Sequence, residues 1–357
     1  MEISAVLFSC PLPASARIGG ERATPTVQLS SRLPDFITLM KPRVMVLAVF
    51  TALVGLMIAP VQLDPLLKSV AVLAIAAGAG AAGVLNMWYD ADVDALMTRT
   101  AMRPIPGGRV SRTEALVFGL ALAGGAVTVL GVAANIKAAV LLAFAIFFYV
   151  VVYTVWLKRN TPQNIVIGGA AGALPPVIGW TAATGELGLE PLVLFLVIFL
   201  WTPPHFWALS LNRTNEYAHA GIPMLPVVAG RAATTRQILI YSVLLVPISL
   251  LPSVFGFAGP IYGATAVICG AILVVLAVQL RRSREADRQA AHRLFGFSIL
   301  YLFVLFAALL TSGGSNRQSS PLSARFSWTA VETGQAEWSA RPLRFGCSSA
   351  CMRAGEV

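Results

Sequence analysis

Charge is what this chain has least of. Asp, Glu, Lys and Arg together make up 12% of its 357 residues, while 57% are hydrophobic. A water-soluble domain carries about twice that charged share, so an ordinary soluble enzyme is nearly excluded. Cysteine is scarce as well: Cys10, Cys269, Cys347 and Cys351 form no C-x-x-C pair and have no His at zinc-ligand spacing. Neither a disulfide framework nor a zinc site is expected. Acids are few, 16 against 26 basic residues, for a net charge of +10. In a soluble chain that excess would point to nucleic acid; in a membrane chain it marks cytoplasmic loops, and no nucleic-acid partner is expected.

What the chain has in abundance is long apolar runs. Nine can be counted, at about 44–60, 66–87, 114–134, 137–156, 164–183, 190–211, 236–255, 260–280 and 294–311. Each approaches the roughly 20 residues a helix needs to cross a bilayer core. The expected fold class is all-α, a polytopic membrane helical bundle of nine transmembrane helices over residues 34–311. Residues 1–33 form a polar, Ala/Ser/Pro-rich extension and 312–357 a polar tail without periodicity, and both are expected to be disordered. Pro175, Pro176, Pro203, Pro204 and Pro247 fall inside spans, where kinks are expected, with 201–205 the segment of most functional interest.

The basic residues alternate between connections. Arg99, Arg103, Arg109 and Arg112 follow span two; Lys158 and Arg159 follow span four; Arg213, Arg231 and Arg236 follow span six. Arg281, Arg282, Arg284, Arg288 and Arg293 follow span eight, whereas the odd-numbered connections offer only Lys68 and Lys137. The N-terminus and the rich loops are therefore expected in the cytoplasm. Arg outnumbers Lys 22 to 4, which points to a GC-rich bacterium and its inner membrane. A G-A-G-A-A-G run at 78–83 matches the dinucleotide fingerprint, but it lies inside an apolar span rather than between a strand and a helix. Close helix packing explains it better, as it does Gly168 and Gly172.

Span two ends in N-M-W-Y-D-A-D-V-D (86–94). If the helix continues, residues four apart are offset by about 40°, so Asn86, Asp90 and Asp94 share one face and Asp92 points away. Stacked carboxylates at a membrane edge are costly unless something offsets them. An all-oxygen donor set suits a hard divalent ion, Mg²⁺, whose shell substrate phosphate completes. Arg99 and Arg103 follow at once as planar phosphate donors. The constellation describes a diphosphate site; an acidic helix end with solvated loop charges is the plainer alternative.

A second cluster closes span six, where Asn212 and Glu216 repeat the four-residue spacing. Asn86 to Asn212 and Asp90 to Glu216 each span 126 residues, as two related halves facing one cavity would. Lys158, Arg159 and Asn164 either add phosphate contacts or only set topology. His205, after two prolines in an apolar span, is an intramembrane ionisable group and so a functional candidate. Its options are to ligate iron, to act as acid or base, or to bond a carbonyl freed by the prolines.

The runs N-M-W-Y-D-A-D-V-D-A-L-M-T-R-T with R-P-I-P, Y-T-V-W-L-K-R-N-T-P-Q-N-I-V-I-G-G, T-P-P-H-F-W-A-L-S-L and E-Y-A-H-A-G-I-P-M-L-P-V-V occur in this order. Together they resemble the protohaem IX farnesyltransferase (haem O synthase) family of intramembrane aromatic prenyltransferases. The resemblance, over about 34–311, implies nine helices around a central cavity. It implies Asn86, Asp90 and Asp94 as a first, catalytic Mg²⁺ motif and Asn212 with Glu216 as a second. Tyr217 joins Arg99, Arg103, Lys158, Asn164 and His205 as substrate-binding candidates. The implied reaction joins farnesyl diphosphate to a vinyl group of haem B, giving haem O, with a downstream haem A synthase or terminal oxidase assembly as partner. Three features depart from the family: Asn215 leaves Glu216 the only carboxylate before Tyr217, Met102 replaces a polar residue, and the tail after Leu310 is unlike the family's. The rival readings are another membrane prenyltransferase, with a quinone or chlorophyll type acceptor, and a secondary transporter.

Overall fold

The computed structural model describes residues 29–61, 63–284 and 288–312. Fifteen α-helices and one π-helical segment build it, with no strand among the described residues. The first half holds α1 (Leu29–Leu39), α2 (Pro42–Ile58), α3 (Pro65–Tyr89), α4 (Ala91–Leu96), α5 (Arg112–Ala133) and α6 (Ile136–Phe147). The π-helical segment Phe148–Leu157 extends α6 into α7 (Lys158–Asn160), and α8 (Asn164–Ala173) and α9 (Pro175–Thr184) follow. The second half holds α10 (Leu189–Leu211), α11 (Thr214–His219), α12 (Leu225–Val228), α13 (Gly230–Val254), α14 (Pro260–Arg282) and α15 (Arg288–Ser312).

Among the described residues, eight segments are long and apolar enough to cross a bilayer: α3, α5, Ile136–Asn160, Asn164–Thr184, α10, α13, α14 and Arg288–Thr311. The pair formed by Arg32–Leu39 and Pro42–Ile58, bent by 53°, makes a ninth when it is counted as one span. Every expected apolar stretch falls on one of these segments. Of the two terminal extensions, only 29–33 and Ser312 are described, and both are helical; the rest of 1–33 and of 312–357 lies outside the described residues.

Local chemistry sets the helix ends. Asp64 caps α3 by accepting from the Leu66 N–H at 2.8 Å, with Pro65 in the first helical position. Ser111 and Glu114 form a reciprocal capping box at the start of α5. Asn135 caps α6 and also donates to the Thr181 carbonyl at 2.8 Å, tying the start of α6 to the end of α9. The interior prolines behave unequally. A break at Leu174 precedes Pro175, whereas α10 runs unbroken through Pro203 and Pro204 and α13 through Pro247.

Three apolar cores result, the smallest formed by Leu39, Val84, Met87, Ala91, Ile105, Val110 and Ala115 beside the end of α3. Of the two larger ones, one lies among α2, α3, α5, α6 and α9, and the other mainly among α8, α10, α13, α14 and α15. α15 packs back onto α2 and closes the ring. Val117, Leu120, Val140, Phe144, Ile268 and Val275 are exposed on the outer surface, which hydrocarbon rather than water would cover. The crossing of α2 over α9 depends on two glycines. A Cβ on Gly55 would lie 2.2 Å from the Pro176 carbonyl oxygen, and one on Gly179 2.0 Å from that of Ala52. Gly78, Gly80 and Gly83 are also confined, though less tightly, by Leu142 and Met40, as the close-packing explanation requires, and Gly168 lies against the Tyr153 ring. Gly172 departs from that expectation, because a Cβ there would meet nothing within 4 Å.

Candidate active site

The site begins where α3 ends. Asp90 leaves helical geometry only slightly, and its N–H still reaches the Asn86 carbonyl at 2.9 Å while the Asp94 N–H reaches the Asp90 carbonyl at 2.8 Å. The four-residue hydrogen-bond pattern thus continues into α4, and Asn86, Asp90 and Asp94 form one column, 4%, 1% and 4% exposed. Asp92 faces out and takes both guanidinium nitrogens of Arg159, at 2.8 and 2.9 Å. The Arg159 hydrogen bond holds the Asp92 carboxyl below the usual carboxylate range, against a smaller opposing effect of burial.

Each member of the column has a cationic partner from another part of the chain. Lys158 donates to Asp90 Oδ2 at 2.5 Å, and Arg103 donates to Asp94 Oδ2 at 2.6 Å. Lys41 donates to Asn86 Oδ1. The Asn86 amide nitrogen donates to Asp90 Oδ2 and to the Thr154 hydroxyl, each at 2.9 Å. Asp90 Oδ1 is buried without a hydrogen-bond partner, and Arg159 approaches it at 3.6 Å.

Three local structures deliver these partners. The π-helical segment widens the turn, so that Thr154 Oγ1 donates to the carbonyl of Tyr149, five residues back, and the Lys158 N–H to that of Tyr153. Thr154 and Lys158 then both face α3, and π-helical turns of this kind recur at functional sites. The loop after α4 is tied back by Thr100, whose hydroxyl donates to the Asp94 carbonyl at 2.8 Å. Lys41, between α1 and α2, has φ 56° and ψ 55°, the sole positive φ among the described non-glycine residues. Such a backbone costs a lysine roughly 1 kcal/mol. It turns the chain between the two helices and directs the side chain to Asn86. Salt bridge Arg109–Asp35 at 2.8 Å holds α1 against the same loop, and Arg32–Glu114 at 2.7 Å ties α1 to the start of α5.

Asn164 is fully buried at the start of α8; its amide donates to the Lys158 carbonyl at 3.3 Å, and its Oδ1 has no partner. The second cluster is built differently from the first. Arg213 interrupts the helix with φ −129°, so Asn212 caps α10 and Glu216 belongs to α11. Asn212 pairs with His292 Nδ1 at 3.0 Å, and Glu216 Oε2 is buried without a partner. Arg99 lies between the clusters: desolvation, Arg213 and then Arg103 lower its pKa, opposed by Tyr217 and Glu216. Tyr217 is buried, and burial raises its pKa against Arg99 and Arg213. Among the described residues no three His, Cys, Asp or Glu side chains converge as a metal cluster. The donor set of the first column is instead two carboxylates and an amide oxygen.

His205 stands apart from both acidic clusters. Its ring is stacked between Trp201, centroids 4.2 Å apart, and Phe295, 4.7 Å. Nδ1 meets Ser298 Oγ at 2.7 Å, and that hydroxyl itself donates to the Phe295 carbonyl at 2.6 Å. With the serine proton committed, Nδ1 must carry the imidazole proton and Nε2 keeps its lone pair. Its partner is therefore a hydroxyl rather than a proline-freed carbonyl. Sequence reasoning overlooked Lys41 and Thr154. The Lys-Pro step at the entry to span one, and the spacing of Thr154 four residues before Lys158, were the available signals.

An apolar helical ring with a buried acid column and converging cations matches known proteins. The model of the UbiA prenyltransferase family matches residues 48–303. The chain belongs to that family, and it is a multi-pass membrane transferase. Within the family it is similar to proteins named protoheme IX farnesyltransferase. That of Methylobacterium radiotolerans is 55% identical over 302 residues, 84% of this chain and 92% of the relative. That of Parvibaculum lavamentivorans is 60% identical over 279 residues, 77% and 87%. Among solved structures, digeranylgeranylglyceryl phosphate synthase aligns with a TM-score of 0.66 at 19% identity, covering 79% of this chain and 99% of that one. A UbiA homolog from Archaeoglobus fulgidus bound to DMAPP and Mg²⁺ aligns with 0.54 at 17% identity, covering 76% and 99%.

Proposed function

We propose that this chain transfers the farnesyl group of farnesyl diphosphate to a vinyl group of haem B, with addition of water, giving haem O and diphosphate. The observation that carries the acceptor is the 55–60% identity to relatives named for that reaction. The observation that supports the chemistry is the buried column Asn86, Asp90 and Asp94 ringed by Lys41, Arg103 and Lys158.

The oxygens of Asn86, Asp90 and Asp94 would hold Mg²⁺, with Asn212 and Glu216 on the opposite side. The unpartnered Asp90 Oδ1 and Glu216 Oε2 fit that role. Bound there, the ion supplies Lewis-acid stabilisation of the leaving diphosphate. Arg99, Arg103, Lys41 and Lys158 bind and orient the phosphate oxygens. The allylic C–O bond breaks with its electron pair leaving on diphosphate, the vinyl carbon attacks the allyl cation, and water adds to the adjacent carbon with loss of a proton. The bundle interior excludes water until that step. Tyr149 and Tyr153, whose rings lie 5.4 Å apart, present faces that steady the cation beside Asp90, with Tyr217 near Tyr153. Asn164 binds substrate indirectly by holding the Lys158 backbone. His205 meets the porphyrin through Nε2, the nitrogen able to ligate iron.

The basic loops and the N-terminus face the cytoplasm of a bacterial inner membrane, from the charge alternation of the connections. The product then passes to a downstream haem A synthase or to terminal oxidase assembly. The test is a product assay on membranes carrying the chain, given haem B and farnesyl diphosphate with Mg²⁺ or with chelator. A metal-dependent haem product heavier by farnesyl plus water is expected. Unchanged haem B with diphosphate still released would move the acceptor to a quinone or chlorophyll type ring.

A further inference from the structure

The three side chains assigned to the metal are already engaged. Lys41 holds Asn86 Oδ1, Lys158 holds Asp90 Oδ2 at 2.5 Å and Arg103 holds Asp94 Oδ2 at 2.6 Å. The cations come from the α1–α2 turn, the end of the π-helical segment and the loop after α4, so no single element imposes the pairing. The acids are almost completely buried, and their three partners are partly buried.

Charge balance decides what such a centre accepts. Two carboxylates are already matched by Arg103 and Lys158, with Lys41 beside them on the neutral amide of Asn86, so the site has no negative charge to spare. A divalent ion entering alone would leave at least its own two positive charges uncompensated in a low-dielectric interior, which is strongly unfavourable. A prenyl diphosphate brings roughly three negative charges, enough to offset them. Lys and Arg have long, jointed stems and the same donors that bind carboxylate also bind phosphate. Their partners can therefore be exchanged without moving a helix.

We propose that Lys41, Arg103 and Lys158 change partners on substrate arrival, releasing Asn86, Asp94 and Asp90 to the metal and taking up diphosphate oxygens, so that metal and prenyl diphosphate bind as one unit. Lys41 thereby becomes a substrate-binding residue outside the acid motifs. Asp90 Oδ1, with no hydrogen-bond partner, is the foothold from which the exchange starts. This inference rests on the metal–diphosphate reading of the site.

The test is a Mn²⁺ titration of the purified full-length protein in detergent, read from the electron paramagnetic resonance of free Mn²⁺. It is run alone and with farnesyl thiolodiphosphate, a slowly ionising analogue. The analogue should raise Mn²⁺ affinity by at least about tenfold. Lys41→Met and Lys158→Met should each tighten Mn²⁺ binding without analogue and shrink its effect. Equal Mn²⁺ affinity with and without analogue in the unaltered protein, which needs no variant, overturns the exchange. So do folded variants that bind Mn²⁺ alone as the parent does while the analogue still binds. Failure of the analogue to bind at all, with or without Mn²⁺, overturns the metal–diphosphate reading itself.

Discussion

Lys158 Nζ lies 2.5 Å from Asp90 Oδ2, and the two residues are 68 positions apart in the chain. The contact joins the end of span four to the end of span two, where the first acid column stands. Replacing Asp90 by Asn keeps the shape but removes a metal ligand and strands the lysine. Transfer should fall by about 10²–10³, the loss typical of one preorganised electrostatic contact. Mass analysis of haem product checks this, with membrane yield as the measure of folding; turnover like that of the unaltered protein would remove Asp90 from the chemistry.

Thr154 accepts from the Asn86 amide at 2.9 Å and is held by the π-helical turn. Thr154→Val keeps the volume and deletes the acceptor, leaving Asn86 free to rotate. The expected cost is about 1–3 kcal/mol at a buried donor, read as a raised Mg²⁺ requirement, while Thr154→Ser should restore the normal one.

The α2–α9 crossing tests the packing rather than the chemistry. Gly55→Ala and Gly179→Ala each place a methyl within 2.2 Å of a carbonyl oxygen, so the helices must separate. A destabilisation of about 1–3 kcal/mol is expected, seen as a lower melting temperature in detergent. Gly172→Ala, where no atom lies within 4 Å, is the control and should melt like the parent.

Ser298 sets the proton on His205 by spending its own on the Phe295 carbonyl. In Ser298→Ala the imidazole loses that constraint, and both tautomers populate. Haem B titrated into the variant should give a weaker or altered Soret band, as His205→Phe should more severely. An unchanged spectrum in both would place haem away from His205.

Asp92 and Arg159 give a pH test. The folded carboxyl has its pKa below the ordinary 3.8, chiefly through Arg159. A group depressed on folding stabilises the fold above its unfolded pKa and loses that contribution as pH falls through the folded value. The pair is surface-exposed, so it is worth at most about 1 kcal/mol. Melting temperature against pH should therefore fall less steeply below 3.8 in Asp92→Asn than in the parent.

Hydropathy and spacing alone determined the helical class, the positions of the spans and the shared face of Asn86, Asp90 and Asp94, because these depend on composition and on the repeat of a single helix. The same arithmetic predicted that Asp92 points away. It treated Asn212 and Glu216 as a second copy of that column, yet Arg213 breaks the helix between them. It expected kinks at the interior prolines without saying which would end a helix: the chain breaks before Pro175, whereas α10 continues through Pro203 and Pro204. Only the tertiary structure decided which cation meets which acid. Lys41, Arg103 and Lys158 converge from three separate elements, and neither a left-handed turn at Lys41 nor a π-helical register leaves a periodic trace in sequence. Local hydrogen bonding makes a helix from its own residues, whereas a buried charge takes its partner from whatever the packing of the whole ring brings beside it.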